Sequence, residues 1–263
     1  DVTDAVPCLK HKFERVEGPE RQVVWRAQGK DSKVDTDIAS FLQSFRASTI
    51  PCSLLAWVVV DVVSTTASSD AVALAVEEWD TLLGSKKPTA ADVDDLARRH
   101  QLLEGKWCIF PNSRYVDAVW EAVARALPKM KRAVSAKVST MSPEKDSHVV
   151  CVYTKNYLDL DEVEGVRAEL RALFSEIVVV DETLNPRGGS RPPAEEEEHA
   201  SDAHREQTNA RPSSSFSGRM VYKPDLYTYL DIYAGNPYRL RPSVYVCKGA
   251  SKGGNSRPPT RPP

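Results

Sequence analysis

Three short segments of this sequence carry residue types whose spacing could do chemistry. In Ser135-Ala136-Lys137-Val138-Ser139-Thr140, a period of two puts Ala136, Val138 and Thr140 on one side of a strand. Ser135, Lys137 and Ser139 share the other side, where an ammonium between two hydroxyls can grip a phosphate group. A solvent-facing polar stripe gives the same alternation. The second segment, Leu103-Glu104-Gly105-Lys106-Trp107, adds the cation Lys106, with Arg98 just upstream at the edge of the same junction. A glycine there lets a helix turn straight into a strand, and its plain reading is a helix C-cap followed by a core Trp. The third runs from Tyr222 to Tyr233 and on through Arg239 to Tyr245, interleaving aromatic rings with Lys and Arg. Such interleaving suits a stacking platform for single-stranded nucleic acid, or a Tyr-rich closing segment that packs on a sheet.

Other chemistries lack their residues. The sequence contains no G-x-G-x-x-G, no G-x-x-x-x-G-K-[ST], no H-E-x-x-H and no G-x-S-x-G. The five histidines are scattered, with His199 and His204 in a low-complexity stretch, and no spacing gathers the ligands a metal needs. No catalytic residues, metal or cofactor are therefore expected. The five cysteines are odd in number and widely spaced. Cys108 and Cys151 sit in apolar runs where a thiol packs as a small hydrophobe, which points away from a disulfide framework and towards a reducing, intracellular compartment, cytoplasmic or nuclear. A net charge of −2 offers no global field for nucleic acid or anionic membrane, so any basic site must be local. The apolar run Leu54–Val63, broken by Asp61, is far shorter than the ~20 residues of a membrane span.

These segments need elements to position them. Strands are expected at Gln22–Ala27, Leu54–Val60, Gly105–Phe110, Val134–Thr140, Val149–Tyr153 and around Ile177–Val180, the Leu54 run reading as a strand covered on both faces. Helices are expected after Asp35-Thr36, from Ser69-Asp70 to Gly84, after a Thr89/Asp92 cap, over Tyr115–Leu127, and over Asp159–Phe174. Residues 1–21 read as a flexible lead-in and 22–246 as one domain. The Gly-, Pro-, Ser- and Glu-rich stretch 185–218 is too poor in apolar residues to offset its ordering entropy and reads as a disordered insertion, as does the basic tail 247–263. The irregular alternation with a central hairpin predicts an α+β fold: a curved, mostly antiparallel sheet with helices packed on one face.

The segments LEGKW (103–107), VDAVWEAVARAL (116–127), AKVS (136–139), VVCVYT (149–154), YKPDLYTYLDIY (222–233) and PSVY (242–245) resemble the basophilic leukaemia expressed protein family. The resemblance spans most of residues 72–246, with the acidic, Ser-rich insertion as a departure confined to a loop. It implies a fold similar to translation initiation factor 4E, the messenger-RNA cap-binding protein. Proteins of that type stack the methylated base between two Trp rings and hold its edge with a Glu. Here residues Gly29–Lys33 contain no Trp, and Arg98-Arg99-His100 stands where a Trp–Glu pair would be needed. Losing both stacking faces removes about 1–3 kcal/mol each, so cap recognition is not expected.

The expected function is a non-catalytic module binding RNA or a nucleotide-like phosphate ligand on the concave sheet face. Lys137, Ser135, Ser139, Lys106 and Arg98 are its site residues. The alternative is a protein-interaction scaffold using the outer helices and the insertion. No membrane partner is expected.

Overall fold

Val-rich runs form several strands of this protein, and amphipathic runs form its helices. The computed structural model describes residues 13–16, 21–26, 33–63, 67–184 and 219–247. Its elements in chain order are β1 (Phe13–Val16), β2 (Gln22–Arg26), α1 (Lys33–Ser44), β3 (Trp57–Asp61), α2 (Ser69–Ser85) and α3 (Ala90–His100). Then follow β4 (Gly105–Ile109), α4 (Val116–Ala126), β5 (Ala133–Ser139), β6 (Val150–Thr154), α5 (Leu160–Leu184), β7 (Met220–Pro224), α6 (Asp225–Tyr229) and β8 (Tyr245–Cys247). The expected insertion at 185–218 and tail residues 248–263 lie outside the described residues.

The strands form one sheet in the order β1-β2-β3-β5-β6-β4-β7-β8. Every neighbouring pair is antiparallel except β2–β3, which run parallel and are joined through α1. The hairpin expected between Val134 and Tyr153 is β5–β6. The sheet is thus mixed but largely antiparallel, and the fold is α+β as the order of elements predicts.

One hydrophobic core sits between one sheet face and the helices. Val23, Trp25, Val58, Val60, Ala136, Val138, Val150, Val152, Trp107, Ile109, Met220 and Tyr222 project into it from the strands. Phe41, Trp79, Leu96, Trp120 and Leu170 meet them from the first five helices. Trp107 is wholly buried, and its Nε1 donates to the Val163 carbonyl of α5 at 3.0 Å, which ties the central strand to the helix above it. Burying the ring while satisfying its N–H is what makes a Trp a good core residue. The α3 N-terminus shows the predicted capping box: Thr89 Oγ1 accepts from the Asp92 N–H, and Asp92 accepts from the Thr89 N–H.

Several boundaries differ from the sequence reading. β3 begins at Trp57, not Leu54, and alternates cleanly: Val58 and Val60 are buried, while Trp57, Val59 and Asp61 are half-buried. It is covered fully on one face only. α1 starts at Lys33, ahead of the Asp35-Thr36 cap. Phe13–Val16 pairs with β2 within the stretch expected to lead in flexibly. Ile177–Val180 is not a strand. α5 runs through it to Leu184, because Ser175-Glu176 offers no Gly or Pro to stop a helix whose apolar stripe of Val163, Val166, Leu170 and Phe174 continues at Ile177. α3 ends on Gln101, in the left-handed region at φ 56°, and not on Gly105.

Candidate functional site on the second face of the sheet

The register builds rows of side chains on the face turned away from the core cluster. One row runs Val24, Val59, Lys137, Cys151, Cys108 and Val221 across β2, β3, β5, β6, β4 and β7. The next runs Arg26, Asp61, Ser135, Tyr153, Lys106 and Lys223 across the same strands. Trp57 and Ser139 pair in the row on the other side of Lys137. The phase of β5 is set by a bulge: Ala133 pairs with Thr154 and Ser135 with Tyr153, leaving Val134 as the extra residue.

Four of the five expected site residues meet here. Ser135, Lys137 and Ser139 lie on this face, each half-buried, as the period of two requires. Lys106 joins them from β4, beside Tyr153. Arg98 does not. Its guanidinium holds Asp95 one turn back on α3 at 2.8 Å, on an exposed helix surface, because a residue in the last helical turn need not follow the strand that comes next.

The cations of this face are matched with rings. Lys137 Nζ stands 4.0 Å above the centre of the Trp57 ring and 5.9 Å from that of Tyr153. Lys106 Nζ lies 5.2 Å from the Tyr153 ring, and Lys223 Nζ 3.7 Å from the Tyr233 ring. Each contact draws the ammonium to the negative face of an aromatic ring, a gain of about 0.5–2 kcal/mol depending on desolvation. Lys106 also pairs with Asp225 at 2.5 Å, both side chains largely buried. Burial works against its charge, but the Asp225 carboxylate, Cys151 and Cys108 together outweigh that and raise the lysine's pKa. Lys223 goes the other way, since burial and the neighbouring Lys106 charge both lower it. Asp61, at the far end of the row, is raised by burial despite Arg26 at 3.7 Å.

Trp57 is the residue that sequence reasoning missed. It lay inside an apolar run that looked buried on both sides, and only the strand's start at Trp57 fixes which face it joins. Alternation counted back from Asp61 could have found it. The Tyr-rich segment divides: Tyr222, Tyr227 and Tyr245 are buried core residues, while Tyr229 and Tyr233 are exposed.

A second polar cluster lies at the β4–α4 loop. The His148 ring is buried, with Nδ1 at 2.8 Å from the Ser139 carbonyl and Nε2 at 3.1 Å from Ser113 Oγ. A carbonyl only accepts, so Nδ1 donates to the Ser139 carbonyl. Asp146 accepts from the Ser113 N–H at 3.1 Å, and hydrogen bonds from Ser113 hold its carboxyl below the usual range. These bonds tie the loop after β4 to the stretch that leads into β6. Among the described residues no group of three or more His, Cys, Asp or Glu is placed to hold a metal, and no helix is long and apolar enough to cross a membrane.

A family model described as "Basophilic leukemia-expressed protein Bles03" matches residues 63–183. The matched stretch runs from just after β3 through almost all of α5. It contains Lys106, Cys108, Ser135, Lys137, Ser139, Cys151 and Tyr153, and leaves Trp57 and Lys223 outside.

Proposed function

We propose that this chain, which belongs to the basophilic leukaemia expressed protein family, is a non-catalytic module that binds single-stranded RNA or a nucleotide-like phosphate ligand on the second face of its sheet. The observation that carries the reading is Lys137 poised 4.0 Å over the Trp57 ring, between Ser135 and Ser139 on its own strand. A cation beside an aromatic face offers both things a nucleotide presents to a protein, a phosphate to neutralise and a base to stack. Lys106 and Tyr153 extend the same pairing one row further. The similarity to translation initiation factor 4E that the family resemblance implies suits this use of a sheet face, without the Trp pair that cap recognition needs. An intracellular setting fits a face that carries two reduced cysteines.

A filter-binding titration of a short single-stranded RNA at two salt concentrations tests the proposal. With a chain pI near 6.3, affinity is modest and falls as salt rises through counterion release. Lys137→Ala weakens binding about equally for all sequences, as loss of a phosphate contact does. If wild type and Lys137→Ala bind identically, or neither binds, the ligand reading fails and the protein-interaction scaffold takes its place.

A further inference from the structure

In the middle of the second face, Cys151 on β6 stands directly opposite Cys108 on β4 and directly opposite Lys137 on β5. Residues directly opposite across antiparallel strands have Cα atoms about 4.5–5.5 Å apart, inside the roughly 4.4–6.8 Å that a disulfide spans. Both cysteines are free thiols, buried and outside the hydrophobic core cluster. Lys106 reaches the same spot diagonally, since it pairs with Tyr153, two residues along from Cys151.

We propose that Cys108 and Cys151 form a peroxide-oxidisable dithiol that closes as a cross-strand disulfide between β4 and β6. The charges around the pair assign the roles. Burial disfavours a thiolate on either cysteine, but Lys137 stands directly opposite Cys151 and a strand further from Cys108, so its ammonium favours Cys151 as the one that ionises. Cys151 is therefore the attacking sulfur and Cys108 the resolving one.

The chemistry needs hydrogen peroxide or a hydroperoxide of similar size, because Cys108 and Cys151 are only 8% and 3% exposed. The Cys151 thiolate attacks one peroxide oxygen, the O–O bond breaks, and the departing hydroxide takes the Cys108 proton and leaves as water. The Cys108 sulfur then attacks the sulfur of the Cys151 sulfenic acid. The S–S bond forms, the S–O bond breaks, and the second hydroxide leaves with a proton from solvent. Two thiols are oxidised to one disulfide and one peroxide is reduced to two waters.

Sequence spacing hides this pair, because only the β4–β6 register brings it together. The proposal stands apart from ligand binding, and its test uses no ligand. The reduced full-length chain is treated with a few equivalents of hydrogen peroxide, remaining thiols are alkylated, and the unreduced digest is read by mass spectrometry. The expected product is a peptide pair linked through Cys108 and Cys151, two hydrogens lighter than its reduced parts and reversed by dithiothreitol. Lys137→Gln slows its formation several-fold, and Cys108→Ser leaves Cys151 as a sulfenic acid that dimedone traps once the chain is unfolded. Recovery of Cys108 and Cys151 as separately alkylated peptides, while the exposed Cys52 is consumed, would overturn the proposal. So would an unchanged rate in Lys137→Gln, since the thiolate then owes nothing to its neighbour.

Discussion

At Gly105 the Tyr222 ring occupies the space a side chain would need. A Cβ built there falls 2.5 Å from Tyr222 Oη and 2.8 Å from two ring carbons. The ring cannot swing aside cheaply: it is fully buried, its hydroxyl bonds Thr154 Oγ1 at 2.5 Å, and its edge packs on Trp107 with centroids 5.2 Å apart. Gly105→Ala therefore overpacks the core and costs about 1–3 kcal/mol. A urea titration reads this as a lower midpoint at unchanged slope, and an unchanged midpoint would show that the ring has room. The glycine was conspicuous in the sequence, but its reason was not. A C-cap is a local explanation, whereas contact with a tyrosine far along the chain is visible only once β4 and β7 pair. Lys137, Ser135 and Ser139 needed only the period of a strand, so their shared face could be read directly.

At the scale of elements, caps were legible and stop signals less so. The Thr89/Asp92 box follows from residue types three apart. Hydrogen bonds from Lys86 and Thr89 lower the Asp92 carboxyl to about 2. Because the folded value lies below the unfolded one, the box stabilises the protein fully above about pH 4. Its contribution is lost as pH falls from there through about 2. Thr89→Ala should cost about 1 kcal/mol at neutral pH, within the usual range for a lost cap. Thermal melts should also show the gap between wild type and variant narrowing as pH falls towards 2. A gap that stays constant across that window would mean the box does not act through the Asp92 carboxylate. α5 shows the opposite case. Ile177-Val178-Val179-Val180 has the composition of a strand, yet an ongoing helix with no breaker overrides β propensity, which is a weak preference of about 1 kcal/mol in range.

Over the whole molecule, the class of fold was readable because the run of elements with one hairpin leaves few ways to bury one face of a sheet under helices. The strand order was not, since β4 pairs with β6 and β7 but with no strand adjacent to it in sequence. That order decides which side chains meet on the second face, and so it decides the candidate site. It also makes Trp57 distinctive. Of the five tryptophans, Trp25, Trp79, Trp107 and Trp120 are at most 4% exposed, and Trp57 alone is half-buried on the face that carries Lys137. The five indole N–H signals of a ¹⁵N-labelled sample, followed while a short single-stranded RNA is added, therefore test the location of binding most directly. The account predicts that the Trp57 indole shifts progressively at low salt and returns at high salt, while those of Trp107 and Trp120 stay fixed. Binding that leaves the Trp57 indole unmoved would contradict it.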